Sequence, residues 1–230
     1  MDVIIVGAGG HGKVVLDILR AGGKYVPIGF VDADVSLAGS IVGGLKVIGP
    51  ANTLPKLRLR KVKGAVIAIG DNRARMQYAR MLREQGFELI NAIHPTSSVS
   101  PSAILGSNIV IAAQATVCTE ARLEDSVIIN TGAIVDHECI IHEGAFIAPG
   151  VCVAGRVRVG SGAFVGLGAN VIQCLSIGEH AVIGAGAAVI ADVPDYATAV
   201  GVPARVIKID GPAQASTNDS SEVETEIASV

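Results

Sequence analysis

The 230-residue chain has no tryptophan, and aromatic residues of all kinds make up only 3% although half of the residues are hydrophobic. A core built on large rings is thereby excluded. The apolar mass falls to Val, Ile, Leu and Ala, which with 28 glycines suits short buried strands joined by tight turns. Eighteen Lys and Arg against 21 Asp and Glu leave a formal charge of -3, without the basic excess that a nucleic-acid surface needs. No apolar run approaches the roughly 20 residues of a bilayer-crossing helix. The start shows no basic segment running into a short apolar stretch and a cleavage site. Cys118, Cys139, Cys152 and Cys174 form neither a CxxC pair nor a disulfide framework, so a soluble cytoplasmic protein with reduced thiols is expected.

What is present divides into three regions. Residues 1–92 read as a small Rossmann-like α/β domain. DVIIVGAGGHG gives a strand that stops at Gly7, and the stretch from Gly12 to Arg20 carries Val15, Leu16 and Leu19 on a helical stripe. Strands are expected at Pro27 to Val31, in KGAVIAIG and in FELINAI, with a helix from Asn72 to Gln85. Alternating strand and helix implies a mostly parallel sheet.

Residues 93–209 are more distinctive. From Val99 to Val189 a branched aliphatic residue opens each of sixteen consecutive blocks of six. The fifth place is small or apolar, as at Ala115, Val127, Ala133, Cys139 and Ala163, and glycine favours the second and fourth. A period of six is neither helical nor simple strand alternation. It fits a triangular parallel β-helix with one hexad per side and eighteen residues per coil. Residues eighteen apart then stack, giving an inward column of Val99, Val117, Val135, Val153, Val171 and Val189. Residues 210–230, rich in Ser and Thr with Asp219, Glu222, Glu224 and Glu226 and no base, read as a disordered acidic tail.

With these hexads, the closing phrase GVPARVI and an N-terminal GAGGHGKVV coupled to NTGAIVDHE, residues 1–209 resemble the hexapeptide-repeat acyltransferases. Within them the chain is similar to the sialic acid acetyltransferase-like group, whose close members acetylate the 4-amino group of UDP- or GDP-linked 4-amino-dideoxy sugars, as in bacillosamine and perosamine synthesis. The resemblance implies a left-handed parallel β-helix, a homotrimer with sites between subunits, and acetyl-CoA as cosubstrate with no metal.

His137 and Glu138, in IVDHECII, are the expected catalytic pair. Val135 points inward and Cys139 returns inward, so Asp136, His137 and Glu138 pass around the outside. Acetyl transfer from a thioester to an amine needs the amine as free base. A histidine is suited to removing that proton, and Asp136 or Glu138 can fix its tautomer. In the resembling enzymes the matching His is the base and the following Glu assists it. Those enzymes also carry a second histidine in a phrase HIAPG, where this chain has AFIAPG with Phe146; His142 lies four residues earlier and is the auxiliary candidate.

Gly7, Gly9 and Gly12 form GxGxxG after a strand, with Asp32 twenty residues beyond Gly12. This is a dinucleotide fingerprint by itself, since bare glycine backbone admits a pyrophosphate at a helix N-terminus. The domain is too small to hold the second mononucleotide half that NAD would need. The resemblance instead implies a nucleotide sugar: Gly9, Gly10, His11, Gly12 and Lys13 near its phosphates, Asp32 and Asp34 near ribose or base, and Asp71, Asn72 and Arg73 at a strand end on the ligand side. Acetyl-CoA is expected along the later coils at Gly155, Gly166, Gly168, Ala185 and Gly186, with Arg205 and Lys208 meeting its phosphates.

The expectation is an acetyl-CoA-dependent N-acetyltransferase acting on a nucleotide-linked 4-amino-4,6-dideoxy sugar. Acetylation of a hydroxyl on sialic acid or another sugar is the nearest alternative, and a non-catalytic nucleotide-sensing β-helix the alternative from another class. Zinc hydration chemistry, suggested by the four-residue gap between His137 and His142, lacks a third histidine in reach.

Overall fold

The computed structural model describes residues 1–211; the expected disordered tail from 212 onward lies outside the described residues. The chain opens with β1 (Asp2–Val6), α1 (Gly10–Gly22) and β2 (Val26–Val31). A hairpin of β3 (Ile41–Val42) and β4 (Leu45–Gly49) follows, then α2 (Leu54–Leu59), β5 (Gly64–Ile67), α3 (Asn72–Glu84) and β6 (Glu88–Leu89). The sheet order is β3-β4-β2-β1-β5-β6, parallel except for the β3–β4 hairpin. Strand order reverses at β1, so the ligand side of this sheet lies at its carboxyl edge beside Gly7. The hairpin and α2 carry no clear period in the sequence and were not among the expected elements.

FELINAI does not form one strand. Glu88–Leu89 closes the α/β sheet, while Ala92–Ile93 is already the first rung of the β-helix, pairing with Val110–Ile111. The hexads therefore begin one block before Val99, in phase with it.

Two-residue strands then stack into three flat faces. The first face runs from Ala92–Ile93 through Val110–Ile111, Ile128–Ile129, Phe146–Ile147, Phe164–Val165 and Val182–Ile183. It ends in an antiparallel hairpin of Ala197–Val200 and Arg205–Ile209. The second face stacks Ser98–Val99 up to Ala188–Val189, and the third Ile104–Leu105 up to Ser176–Ile177. Each rung pairs with the residue eighteen along, as in Val117↔Val135 and Val135↔Val153. The last turn is shorter, Val182 pairing with Thr198. The valine column is buried from Val117 to Val189, and the small fifth-place residues Ala115, Ala133, Cys139 and Ala163 fill the prism beside it. The faces and their parallel registers are those of a left-handed β-helix carrying an N-terminal α/β unit.

The corners correct one detail of the sequence reading. The fourth place of every hexad from Asn108 to Gly186 has a positive φ, but only six of these fourteen residues are glycine. Asn108, Gln114, Glu120, Ser126, Glu138, Arg156, Cys174 and His180 hold the same left-handed turn. Such a conformation costs about 1 kcal/mol or more for a residue with a Cβ. Stacking offsets it: from Ser126 onward each of these amides donates to a carbonyl of the preceding coil, as Glu138 N does to Thr119 O at 3.0 Å and Arg156 N to His137 O at 2.9 Å.

The α/β unit packs on the lower first face. Val15, Leu16 and Leu19 of α1 share a core with Val110, Ala112 and Ile128. Helix α3 runs along the corner between the third and first faces. There Asn108 is fully buried; its Oδ1 accepts from Ile67 N at 2.8 Å and its Nδ2 donates to Ser126 Oγ. No helix among the described residues is long and apolar enough to cross a membrane.

Candidate active site

His137 stands on the corner between the second and third faces. Its Nδ1 lies 2.9 Å from Glu138 Oε2, and its backbone N donates to Asp136 Oδ1 at 2.7 Å. An ionised carboxylate only accepts, so the Glu138 contact puts the ring proton on Nδ1 and leaves the Nε2 lone pair available. The two side chains remain 43% and 46% exposed, open to a ligand. Gly155, one coil on, makes room for the ring: a Cβ there would fall 2.4 Å from Nε2. Asp136 also raises the Cys118 thiol, after burial, and burial pushes Cys139 up to about 11, so both thiols stay protonated near neutrality. Beside this corner an open cleft of about 320 Å³ runs up the second face, lined by Ile134, Asp136, Cys152, Ala154, Asn170 and Ile172.

His142 is not part of this group. It occupies the next corner, between the third and first faces, with Nδ1 3.1 Å from Glu124 Oε1. Five residues place the two histidines on opposite ends of one rung. Among the described residues no cluster of three or more His, Cys, Asp or Glu side chains is arranged to hold a metal ion.

Phe146 lies on the first face, far around the prism from His137. Its ring centroid is 5.2 Å from that of Phe164 and 6.4 Å from that of His11. This joins it to the second expected site. Helix α1 begins at Gly10 with no side-chain cap, so its first amides are unoccupied by the chain's own side chains. Gly12 has to be glycine, because a Cβ would lie 2.1 Å from Gly7 O. Lys13 is exposed beside it. His11 is half-buried, its Nε2 sealed off without a partner, and burial followed by the charge of Arg75 lowers its pKa to about 4. It is neutral at physiological pH.

The acidic candidates also hold the loops, while Asp34 and Asp71 remain exposed. Asp32 accepts from Ala8 N at 2.6 Å and from Asp34 N at 2.9 Å, pinning the glycine turn to the end of β2. Asp34 accepts from the Ser36 hydroxyl and amide, which hold its carboxyl below the usual range. Asp71 caps α3 through Ala74 N, and Asn72 Nδ2 donates to Gly162 O and Ala163 O of the β-helix. Arg73, next in the chain, is exposed.

Sequence reading passed over Arg75, two residues on. It is fully buried and donates to five neutral oxygens: Ser126 O, Ile69 O, Gly70 O, Asn72 Oδ1 and Gly144 O. The available signal was its place on the buried stripe of α3, with Tyr78, Ala79 and Leu82.

The residues expected around CoA are dispersed. Gly155 backs His137, and Gly166 is a packing glycine whose Cβ would strike Ile183 O. Gly168, Ala185 and Gly186 are exposed at the corner between the first and second faces. Arg205 and Lys208 lie on the closing hairpin, Lys208 paired with Asp210 at 2.8 Å.

Residues 2–82 match the family described as the PglD N-terminal domain. PerB from Caulobacter crescentus, solved with CoA and GDP-perosamine, is 42% identical with a TM-score of 0.87 over 90% of this chain and 98% of that one. The acetyltransferase domain of PglB from Neisseria gonorrhoeae FA1090 is 38% identical with a TM-score of 0.84 over 90% and 99%. UDP-N-acetylbacillosamine N-acetyltransferase of Bacillus subtilis (strain 168) is 38% identical over 115 residues, 49% of this chain and 51% of that protein, so the chain spans about half the length of that curated relative.

Proposed function

The chain belongs to the perosamine and bacillosamine N-acetyltransferases of the hexapeptide-repeat acyltransferase family, and on that premise we propose that it transfers acetyl from acetyl-CoA to an amine of a nucleotide-linked sugar. The observation that carries this reading is the His137–Glu138 pair, with its open Nε2 and the glycine behind it. The acceptor class is the 4-amino group of a UDP- or GDP-linked 4-amino-4,6-dideoxy sugar.

The sugar amine reacts as its free base, the ammonium proton having gone to solvent, and His137 Nε2 takes a further proton from the nitrogen as it attacks. The nitrogen then bonds to the thioester carbonyl carbon, the C–S bond breaks, and the proton passes to the departing CoA thiolate. Glu138 keeps Nδ1 protonated and supports the imidazolium between these steps. Because attack is direct, holding both reactants in register supplies much of the rate. The apolar cleft on the second face, beginning at Asp136, offers the pantetheine arm a seat leading to His137.

The glycine turn and His11 sit against the first face, whereas His137 occupies the opposite corner. A sugar tethered to that turn therefore meets His137 of a neighbouring copy, which favours a homotrimer with shared sites. Mixing His137→Ala with Lys13→Glu subunits should then restore activity that neither has alone.

The reaction is tested by following CoA thiol release with UDP- and GDP-linked 4-amino-4,6-dideoxy sugars and with sialic acid in parallel. Release with an amino sugar, lost in His137→Ala, supports the reading. Release only with the hydroxyl acceptor replaces it by O-acetylation, and silence with every acceptor despite acetyl-CoA binding replaces the acceptor class.

A further inference from the structure

A buried arginine normally faces a carboxylate, since an uncompensated charge in the interior costs several kcal/mol. Arg75 is 0% exposed, and among the described residues it has no ion pair. All five of its acceptors are neutral: four carbonyls and the Asn72 amide. The closest acidic influence is Asp71, exposed and already engaged with Ala74 N.

The position of this unmatched cation is informative. It grips Ile69 O and Gly70 O of the β5–α3 turn, and that turn touches the glycine turn: a Cβ on Gly7 would lie 2.7 Å from Ala68 O and 3.1 Å from Ile69 Cγ1. On its other side the guanidinium carbon is 5.9 Å from the Phe146 ring, which in turn faces His11. The field of Arg75 reaches His11, where it opposes protonation. The cation thus lies one layer behind the uncapped start of α1, an end that already favours anions.

We propose that Arg75 is the buried counter-charge of the nucleotide site: without touching the ligand, it favours a diphosphate at the start of α1 while its hydrogen bonds hold the β5–α3 turn against the β-helix. The inference rests on the nucleotide reading above. It makes Arg75 a positioning residue that acts through charge, and the ligand the partner that its neutral acceptors do not supply. A purely structural rivet would need the planar five-bond fork and be indifferent to charge, so lysine and glutamine separate the two roles.

UDP and GDP binding to the full chain is measured by titration calorimetry for wild type, Arg75→Lys and Arg75→Gln, with thermal unfolding of each. The proposal expects R75Q to bind about tenfold more weakly and R75K to stay within about threefold. The R75Q deficit should persist from about 50 to about 300 mM salt, because a buried charge is little screened. R75Q binding like wild type overturns the proposal, and so does R75K weakening as far as R75Q. If R75Q does not fold, R75K decides: retained affinity at lowered stability supports the role, and lost affinity overturns it. A wild type that binds neither diphosphate overturns the nucleotide reading, and the role of Arg75 with it.

Discussion

Gly155 lies one coil beyond His137, and the imidazole occupies the space that a side chain at 155 would need: a Cβ would fall 2.4 Å from Nε2 and 2.6 Å from Cε1. Gly155 is not among the positive-φ residues, so its backbone admits alanine and only the ring stands in the way. Gly155→Ala is expected to turn the imidazole away from its present seat, lowering turnover at least about tenfold while the thermal unfolding midpoint moves by only a few degrees. Steady-state rates beside a melting curve check this; an unchanged rate would mean that the ring's position against the coil is unimportant.

His137→Ala should lower turnover by at least about 10²-fold, and Glu138→Gln by about tenfold, because the amide can still accept from Nδ1–H but no longer stabilises an imidazolium. Neither change should disturb the fold, since both side chains are about half exposed on the single chain. Thiol-release assays with sedimentation of each variant test it, and full activity in H137A would remove His137 from the mechanism.

The pH dependence of stability should carry the mark of His11. Its folded pKa is lowered to about 4 from 6.5, first by burial and then by the charge of Arg75, so the unfolded chain binds the proton more readily. Stability is complete above pH 6.5 and falls as pH drops towards 4, by about 2 kcal/mol already at pH 5. His11→Gln should flatten this part of the curve. Urea unfolding at pH 7.5 and 5 for both proteins measures the difference, and identical slopes would show that His11 titrates normally.

Asn108→Ala strands the Ile67 amide and the Ser126 hydroxyl, and puts alanine at φ 56°. A loss of about 2–4 kcal/mol is expected. Urea unfolding reads it directly. Because Asn108 ties β5 to the β-helix, a loss below about 1 kcal/mol would mean that the joint is held elsewhere.

The six-residue period was legible because each inward valine or isoleucine faces its own kind eighteen residues away, a constraint that recurs at every rung. The glycine turn was legible for a similar reason: Gly12 answers to Gly7 O, five residues back. The corners were read less well. Glycine marked six of the fourteen left-handed turns, while residues such as Glu138 and His180 adopt that turn because stacked coils supply the hydrogen bond. Asp32, Asp71 and Asn72 were ligand candidates from their places in the sequence, but no spacing showed that their side chains also pin a loop, cap α3 and tie it to the β-helix.

By itself, then, the sequence determined the prism, its inward columns and the placing of His137 and Glu138 on its outside, since all of these follow from local spacing. Only the tertiary structure decided that FELINAI is divided between two sheets, that Phe146 meets His11 instead of His137, and that Arg75 is a buried cation without a carboxylate. Those facts depend on how the α/β unit seats on the first face, a contact between residues some 70 positions apart, such as Arg75 and Gly144. No period or spacing encodes such a contact, because it is chosen by the shape and polarity of two surfaces that exist only after each has folded.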